Sequence, residues 1–329
     1  MSDQARQEAP EVSIVVPVYN EEESAPACYA DVTEAMAEAG LHYELIFVDD
    51  GSTDGTVAAL REAVAGDARV TVVELRRNFG QAPALAAGFD LACSEVVVPM
   101  DGDLQNDPRD IPRLLAKLAE EPGYDVVSGW RKDRRDNLVR RIPSRVANWL
   151  ISTITGVKLH DYGCSLKAYR REVLSDIRLY GEMHRFIPAL IHWVGGRVTE
   201  LPVNHRARTA GRSKYGLGRT FRVLLDLITV EFMMKYLTKP LYFFGKFGFL
   251  SLLMAFAVLG VVVLQKVGGT DMTGNPLLYL SVTMVTIGVQ ILLMGLIMEI
   301  LTRTYHESQD RKPYTVRAIH NGSDPGDEP

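Results

Sequence analysis

The chain has 329 residues, enough for two domains or for one domain with an appendage. Its net charge of −5 argues against a general nucleic-acid-binding protein, because affinity for the phosphate backbone requires a basic surface. The three cysteines, Cys28, Cys93 and Cys164, lie far apart and form no Cys-x-x-Cys pair, so neither a disulfide framework nor a zinc site is predicted. This cysteine usage favours a reducing, cytosolic environment.

Short β-rich runs alternate with alanine-rich helical stretches from Val12 to about Leu201. The predicted strands are Val12–Val18, Glu44–Val48, Val70–Leu75, Val96–Met100, Asp125–Ser128 and Val198–Val203. The predicted helices between them include Tyr29–Ala39, Val57–Ala65 and Ala82–Ala92. This alternation predicts an α/β fold with a mainly parallel sheet. The Gly-, Pro- and Asp-rich end, His320–Pro329, predicts a disordered tail.

Two later segments, Phe247–Gln265 and Pro276–Met298, contain no charged residue. As helices they would measure about 28 and about 34 Å, close to the ~30 Å hydrocarbon core of a bilayer. The alternative is a pair of buried helices in a soluble domain, but such helices seldom run this long without a charge. The pattern favours two transmembrane helices.

Basic residues flank the two apolar segments on their outer sides. The connecting loop, Lys266–Asn275, carries one Lys and one Asp. The segment before the first apolar segment is rich in basic residues, namely Arg206, Arg208, Arg212, Lys214, Arg219, Arg222, Lys235, Lys239 and Lys246. The segment after the second carries Arg303, Arg311, Lys312 and Arg317. The positive-inside rule then predicts cytoplasmic termini and a cytoplasmic α/β domain. Thr220–Leu241 mixes apolar and charged positions, which predicts amphipathic helices in the membrane interface; a core-packed helix is the alternative.

The stretch Met100–Pro108 places three aspartates and a glutamine directly after a predicted strand. Asp101 and Asp103 flank Gly102, and two carboxylates in this arrangement can both face one Mg²⁺ or Mn²⁺, with Gln105 adding a neutral oxygen. An Asp-x-Asp pair alone is weak, and a solvated acidic turn is the alternative. Asp107 and Pro108 predict a helix start, with a side-chain cap followed by proline at the first helical position.

Two more predicted strands end in polar or acidic residues. The first ends in Pro17-Val-Tyr-Asn-Glu21 and the second in Asp49 and Asp50, with Asp54 close behind. Because ligands of open α/β sheets bind at the carboxyl ends of the strands, these groups predict a single cleft. The chain has neither a Gly-x-Gly-x-x-Gly motif after its first strand nor a Walker A motif, which disfavours a Rossmann dehydrogenase and a P-loop enzyme.

Together these stretches resemble glycosyltransferase family 2, which has a GT-A nucleotide-sugar fold. The resemblance rests on residues 12–21, 48–54 and 101–105, and extends through Arg77–Gln81, Asp161–Arg171 and Gly211–Tyr215. Within that family the chain is similar to polyprenyl-phosphate glycosyltransferases. The similarity is greatest to the undecaprenyl-phosphate 4-deoxy-4-formamido-L-arabinose transferases, and next to bactoprenol glucosyltransferases and dolichol-phosphate mannose synthases. The resemblance spans Val12 to about Arg311.

The resemblance implies a role for each matched residue. It implies a nucleoside pocket lined by Pro17, Tyr19, Glu21 and Asp50, and a metal site made by Asp101, the Gly102 carbonyl, Asp103 and Gln105. It implies phosphate contacts for Arg131, Arg206, Arg208, Ser213 and Lys214, and a catalytic set of Asp161, Asp103 and Arg131. Gly102 departs from the family pattern, where alanine is common, and Arg212 stands where the arabinose transferases have an acidic residue.

Asp161 matches a position proposed as a base in relatives. An orienting role towards acceptor or donor is favoured here, and the cap of a turn is the alternative. The basic residues near 206–214 could equally be a positive-inside flank.

The resemblance implies inverting transfer of a single sugar from a nucleotide diphosphate donor, UDP-linked, to undecaprenyl phosphate at the cytoplasmic side of the inner membrane, with Mg²⁺ or Mn²⁺ as cofactor. The implied partners are the nucleotide sugar, the lipid phosphate and the bilayer, without nucleic acid; a homo-oligomer is compatible with the sequence. The expected organisation is a disordered segment 1–10, a GT-A domain 11–210, juxtamembrane helices 211–242, a transmembrane hairpin 243–302 and a cytoplasmic tail 303–329.

Two alternative functions have distinct signatures. A processive polysaccharide synthase of the same superfamily carries a Gln-x-x-Arg-Trp motif and more spans, and neither is found here. A non-catalytic anchor or lipid-transport subunit would not need Asp101, Asp103 and Gln105.

Overall fold

The computed structural model describes residues 9–121, 123–132, 148–175, 177, 183–206, 227, 229, 231–232, 240–271, 273–307 and 313–322. The chain divides into two compact units, one made of Met1–Val230 with Lys312–Pro329 and the other of Glu231–Arg311.

The first unit is built on one eight-stranded sheet. Its strands are β1 Val12–Val18, β2 Tyr43–Asp49, β3 Val70–Leu75, β4 Val96–Pro99, β5 Val126–Trp130, β6 Lys167–Arg170, β7 Val198–Pro202 and β8 Val316–Asn321. Their order across the sheet is β7-β5-β6-β4-β1-β2-β3-β8.

Most strands of this sheet run in the same direction. β1 pairs in parallel with β2 and β4, β2 with β3, and β5 with β7, while β6 and β8 are antiparallel to their neighbours. The predicted mainly parallel α/β sheet is therefore confirmed. Since the carboxyl ends of parallel strands meet at one edge, the loops after β1, β2, β3, β4 and β5 emerge on the same side.

Helices cover both faces of the sheet. They are α1 Ser24–Ala39, α2 Thr56–Ala63, α3 Gln81–Leu91, α4 Ile111–Ala119, α5 Arg171–Ser175 and α6 Ile187–Trp193, with 3₁₀ turns at Pro108–Asp110 and Met183–Phe186 and a helical segment at 148–155. β1 alternates between the two apolar cores, with Ile14 and Val16 in one and Val15 in the other. Asp107 caps the turn at Pro108 by accepting a hydrogen bond from the Arg109 N–H, as predicted.

Sequence reasoning missed β6 and β8. β6 has four residues and begins with a lysine, so it carries no apolar alternation. For β8 the prediction of disorder from His320 onward was wrong at His320 and Asn321, which are paired with β3. Composition could not show this, because the strand is stabilised by a partner almost 250 residues away in the chain.

Tyr314 attaches the segment before β8 to α3. Its side chain is 8% exposed, and its hydroxyl donates to Asp90 Oδ2 at 2.6 Å. Tyr314→Phe should destabilise the first unit by about 1 kcal/mol, because it removes the hydrogen bond to the Asp90 carboxylate. Thermal unfolding of the full chain in detergent measures this loss. Tyr279→Phe, at a position 65% exposed, is the control and should unfold like the wild type.

The second unit contains two long apolar helices, α7 Pro240–Val267 and α8 Pro276–Glu307. By length and composition, Pro240–Val267 and Pro276–Leu301 are suited to cross a membrane, which agrees with the two predicted spans. Of the predicted amphipathic region, only Leu227, Thr229, Glu231, Phe232, Pro240 and Leu241 are described; all six are helical. The rest of that prediction lies outside the described residues.

Small residues bring α7 and α8 close together. A Cβ added at Gly248 would lie 3.0 Å from the Gly288 carbonyl oxygen and 2.7 Å from Leu292 Cγ. Ser251 Oγ also donates to the Met284 carbonyl at 2.9 Å. Close packing of small residues and interhelical hydrogen bonds are the forces that hold helices together in lipid.

Gly248→Ala should therefore destabilise this helix pair by about 1–3 kcal/mol through overpacking. Gly260→Ala is the matched control, because a Cβ there would meet nothing within 4 Å. Unfolding in a denaturing detergent compares the two variants, and equal stability would contradict the packing described.

Candidate active site

The loops after β1 and β2 are joined by hydrogen bonds at the carboxyl edge of the sheet. Asn20, in the left-handed region at φ 54°, accepts from the Thr53 N–H at 2.8 Å and donates its own N–H to Ser52 Oγ at 2.9 Å. The Glu21 N–H donates to Thr56 Oγ1 at 2.9 Å. These contacts fix the segment that carries the predicted pocket residues: Pro17 within β1, Tyr19 at 39% exposure, and Glu21.

Asp50 organises the loop after β3. Its carboxylate accepts from the N–H groups of Phe79 at 2.7 Å and Gly80 at 2.9 Å. Gly51 permits this approach, since its φ is +70° and a Cβ there would lie 2.4 Å from the Arg77 carbonyl carbon. Burial raises the pKa of Asp50 and of the neighbouring Asp49. Asp49 Oδ1 is buried without a hydrogen-bond partner among the described residues.

The loop after β4 places Asp101 and Asp103 together. Gln81 Nε2 donates to Asp101 Oδ1 at 2.8 Å. Asp103 Oδ1 accepts from the Gln105 N–H at 3.2 Å. Burial, and then the charge of Asp103, raise the pKa of Asp101. Leu104, between Asp103 and Gln105, has a φ of 61°. This left-handed backbone conformation costs free energy in a non-glycine residue, and such conformations cluster at functional sites.

This donor set fits a divalent cation that also has other ligands. Across the described ranges, no three His, Cys, Asp or Glu residues lie close enough to hold a metal by themselves. Mg²⁺ is typically held by one or two carboxylates, with water and phosphate oxygens completing its shell. The carboxylates of Asp101 and Asp103 are the part of such a site that the protein would supply. At Gly102 a Cβ would lie 3.0 Å from Val18 Cγ1, so the alanine common in the family would require a small shift here.

Arg131 and Asp161 form a buried ion pair beside this loop. Arg131 Nε and Nη2 donate to the two Asp161 oxygens at 2.7 and 3.0 Å, and the two side chains are 15% and 4% exposed. Arg131 follows β5, and Asp161 lies in the turn that leads into β6. Asp161 also accepts from the Gly163 N–H at 3.1 Å, so it caps a turn as well. A carboxylate already engaged by a guanidinium is suited to orienting a ligand rather than to abstracting a proton.

Arg206 is bound by two carboxylates. Its Nη1 donates to Asp31 and its Nη2 to Asp107, both at 2.6 Å, and its N–H donates to the Gln105 carbonyl at 2.9 Å. The structure therefore ties Arg206 to the loop that carries Asp103. A phosphate contact for Arg206 stays a prediction and would require exchange of one of these carboxylates. Arg208, Ser213 and Lys214 lie outside the described residues.

Several site residues were missed from the sequence. Gln81 donates to Asp101, and Asn106 Nδ2 donates to Ser165 Oγ at 2.8 Å. Gln81 and Ser165 occur in motifs that carried the family resemblance, which was the available signal, and Asn106 directly follows another of those motifs. The contacts themselves join strands far apart in sequence.

Lys167 is a further buried charge at this edge. It is 3% exposed, and burial lowers its pKa from 10.5 to about 8, while neighbouring Cys164 and Asp161 oppose that shift.

Between about pH 8 and 10.5 the unfolded chain binds more protons at Lys167 than the folded one, so the free energy of unfolding that this group contributes rises with pH. In EDTA, the stability of Lys167→Met relative to wild type should fall by about 3 kcal/mol from about pH 7 to about pH 10. Unfolding curves that remain parallel would contradict this.

Comparison with known sequences places these residues in a family context. Residues 13–178 match the profile of glycosyl transferase family 2. A dodecaprenyl-phosphate galacturonate synthase from Rhizobium johnstonii is 45% identical, over 94% of this chain and 93% of its own length. An undecaprenyl-phosphate 4-deoxy-4-formamido-L-arabinose transferase from Pseudomonas fluorescens is 39% identical, over 94% of this chain and 89% of its own length.

A solved structure confirms the similarity of the fold. Glucosyl-3-phosphoglycerate synthase from Mycobacterium tuberculosis, in complex with Mn²⁺, UDP and phosphoglyceric acid, superposes with a TM-score of 0.53 at 21% identity. The match covers 69% of this chain and 80% of that protein.

Proposed function

Because this chain belongs to glycosyl transferase family 2, we propose that it transfers one sugar from a nucleotide diphosphate sugar to a polyprenyl phosphate at the cytoplasmic face of the inner membrane. The observation that carries the proposal is the match to two polyprenyl-phosphate sugar transferases over 94% of the chain, a share that takes in the apolar helices as well as the sheet. An acceptor whose phosphate stays at the membrane surface explains why the sheet unit is joined to two apolar helices.

The donor would bind along the strand ends. The loops after β1 and β2, with Pro17, Tyr19, Glu21 and Asp50, would surround the nucleoside. Asp101, the Gly102 carbonyl, Asp103 and Gln105 would hold Mg²⁺ or Mn²⁺ next to the diphosphate. When bound, the cation would offset negative charge on the departing nucleotide diphosphate.

The acceptor would approach from the side of Arg131 and Asp161. Two of the five N–H donors of Arg131 face Asp161, and a phosphate would take donors on the other edge of the guanidinium. Asp161 would fix the orientation of that guanidinium and thereby the position of the phosphate. Arg208 and Lys214 would add positive charge, and Ser213 a hydroxyl group that can donate to phosphate, from the segment after β7.

The reaction would be a single displacement at the anomeric carbon. A lipid phosphate oxygen forms a bond to C1 of the sugar while the C1–O bond to the nucleotide diphosphate breaks, so the configuration at C1 inverts. No strong base is needed, because the second pKa of a phosphate monoester is about 6 and the acceptor is already anionic at neutral pH. The leaving group carries away the electron pair of the broken bond.

The identity of the transferred sugar is a more specific part of the proposal. UDP-linked donors of galacturonic acid, 4-deoxy-4-formamido-L-arabinose and glucose are the candidates, the first two by the names of the relatives. Purified full-length protein in detergent, given undecaprenyl phosphate, Mn²⁺ and each donor in turn, should form a glycolipid with one of them. No glycolipid with any UDP- or GDP-sugar would overturn the proposed function.

A further inference from the structure

The buried part of the site contains one lysine that the proposed reaction does not use. Lys167 is 3% exposed, and its ammonium donates to the Tyr162 carbonyl at 3.3 Å. Tyr162 follows Asp161 directly, so this hydrogen bond reaches the backbone of the turn that presents Asp161. Burial of an ammonium is costly unless neighbouring groups compensate for its lost hydration.

The sheet places Lys167 between the two halves of the site. It opens β6 opposite Ser128 of β5, the strand that leads into Arg131. On its other side β6 pairs with β4, with Val97 opposite Tyr169. Continuing that antiparallel register brings Lys167 beside Pro99, just before Asp101. Lys167 therefore lies beside the strand ends from which both the Asp101 loop and Arg131 emerge.

The groups whose charges act on the Lys167 ammonium are Asp101, Asp161, the Arg131 guanidinium and the Cys164 thiol. Asp101 and Asp161 are anions that repel each other. Arg131, which is bonded to Asp161 by two hydrogen bonds, and Lys167 are the two positive charges that act on both Asp101 and Asp161. Satisfying the Tyr162 carbonyl alone would not require a charge, because a neutral donor or a water molecule does so at a lower desolvation cost.

We propose that Lys167 is a positioning residue, whose ammonium holds the Tyr162 carbonyl and adds to Arg131 a second counter-charge that keeps the Asp101 and Asp161 carboxylates together in one site. This inference rests on the proposed function, because it assigns Asp101 to the donor side and Asp161 to the acceptor side. Lys167 itself touches neither substrate.

The test compares Lys167→Met, which keeps the length but removes the charge, with Lys167→Arg, which keeps the charge. Lys158→Met is the control, since Lys158 is an exposed lysine in the segment before Asp161. In the full-length protein, Lys167→Met should lower kcat/KM for sugar transfer by at least about 30-fold, and Lys167→Arg should recover it to within about fivefold. Without ligands at about pH 7, the Tm of Lys167→Met should equal or exceed that of the wild type. Lys158→Met should behave like the wild type throughout.

A second measurement does not depend on turnover. UDP with Mn²⁺ should raise the Tm of the wild type and of Lys167→Arg, and should raise the Tm of Lys167→Met by less than half as much. If the wild type shows this Tm increase but transfers no sugar, the proposed acceptor fails and the Lys167 inference is still decided by the Tm increase. Wild-type activity in Lys167→Met, equal loss in Lys167→Met and Lys167→Arg, or no Tm increase in the wild type would each overturn the inference.

Discussion

Asp103→Ala is expected to lower kcat for sugar transfer by at least about 10³-fold, with no loss of thermal stability. Asp103 is one of two carboxylates proposed to hold the cation at the diphosphate, and its loss leaves the developing charge on the leaving group without compensation. The carboxylate is only partly buried, and repulsion from Asp101 disappears with it, so the fold should tolerate the change. Release of UDP and formation of glycolipid, each followed with time, measure the effect.

Asp107→Ala is the matched control, an aspartate in the same loop. Asp107 caps the turn at Pro108 and pairs with Arg206, so its loss should lower stability by about 1 kcal/mol and leave kcat within a few-fold of wild type. An equal decrease in kcat in the Asp103 and Asp107 variants would show that both aspartates only maintain the conformation of the loop. An Asp103→Ala enzyme with wild-type turnover would favour the non-catalytic alternative.

Arg131→Met should have the largest effect on stability and should also lower activity. Asp161, 4% exposed on its side chain, would lose its bidentate partner, and removing one partner of a buried ion pair typically costs about 3–5 kcal/mol. Sugar transfer should fall by about 10²–10³-fold, because the acceptor phosphate loses its guanidinium. Unfolding and steady-state kinetics on the same preparation separate the two losses.

The double variant Arg131→Met with Asp161→Leu distinguishes structure from chemistry. Replacing both charges by apolar groups should restore most of the lost stability, since no buried charge is left unpaired. Activity should remain at the level of Arg131→Met. Recovery of activity together with stability would mean that the pair serves only the fold.

The sequence predicted the central sheet well because its parallel strands are nearly continuous apolar runs. β1 and β3 have the predicted bounds, and β2, β4, β5 and β7 differ from theirs by one or two residues at an end. The two antiparallel strands escaped prediction for a shared reason: each is short and depends on a partner strand rather than on its own pattern. β6 matters most, because it brings Lys167 and Ser165 to the edge where the other loops meet.

The structure confirms one part of the prediction for Met100–Pro108. Asp107 with Pro108 starts the helical turn, whereas the cation role of Asp101, Asp103 and Gln105 stays a prediction. What the sequence could not provide was the set of side-chain contacts around these residues. Gln81, Ser165 and Asn106 act through contacts that span 20 to 59 residues, and local patterns carry no information on such pairs.

Arg206 shows what the sequence leaves out about a charged residue. The family resemblance implied a phosphate contact, which stays a prediction, whereas the structure shows the guanidinium paired with Asp31 and Asp107. A sequence gives the sign of a side chain's charge but not the acids that the fold brings to it. In this protein α1 supplies Asp31, 175 residues before its partner.

The most direct test of the central claim is the composition of the lipid product. After reaction of the wild-type protein with undecaprenyl phosphate and its UDP-sugar, mass spectrometry and ³¹P NMR count the sugars and phosphates per lipid. The account predicts one sugar on one phosphate, with one UDP released for each glycolipid formed. A product with two phosphates and release of UMP would mean sugar-phosphate transfer, and a product with several sugars would mean a processive synthase; either would contradict the account.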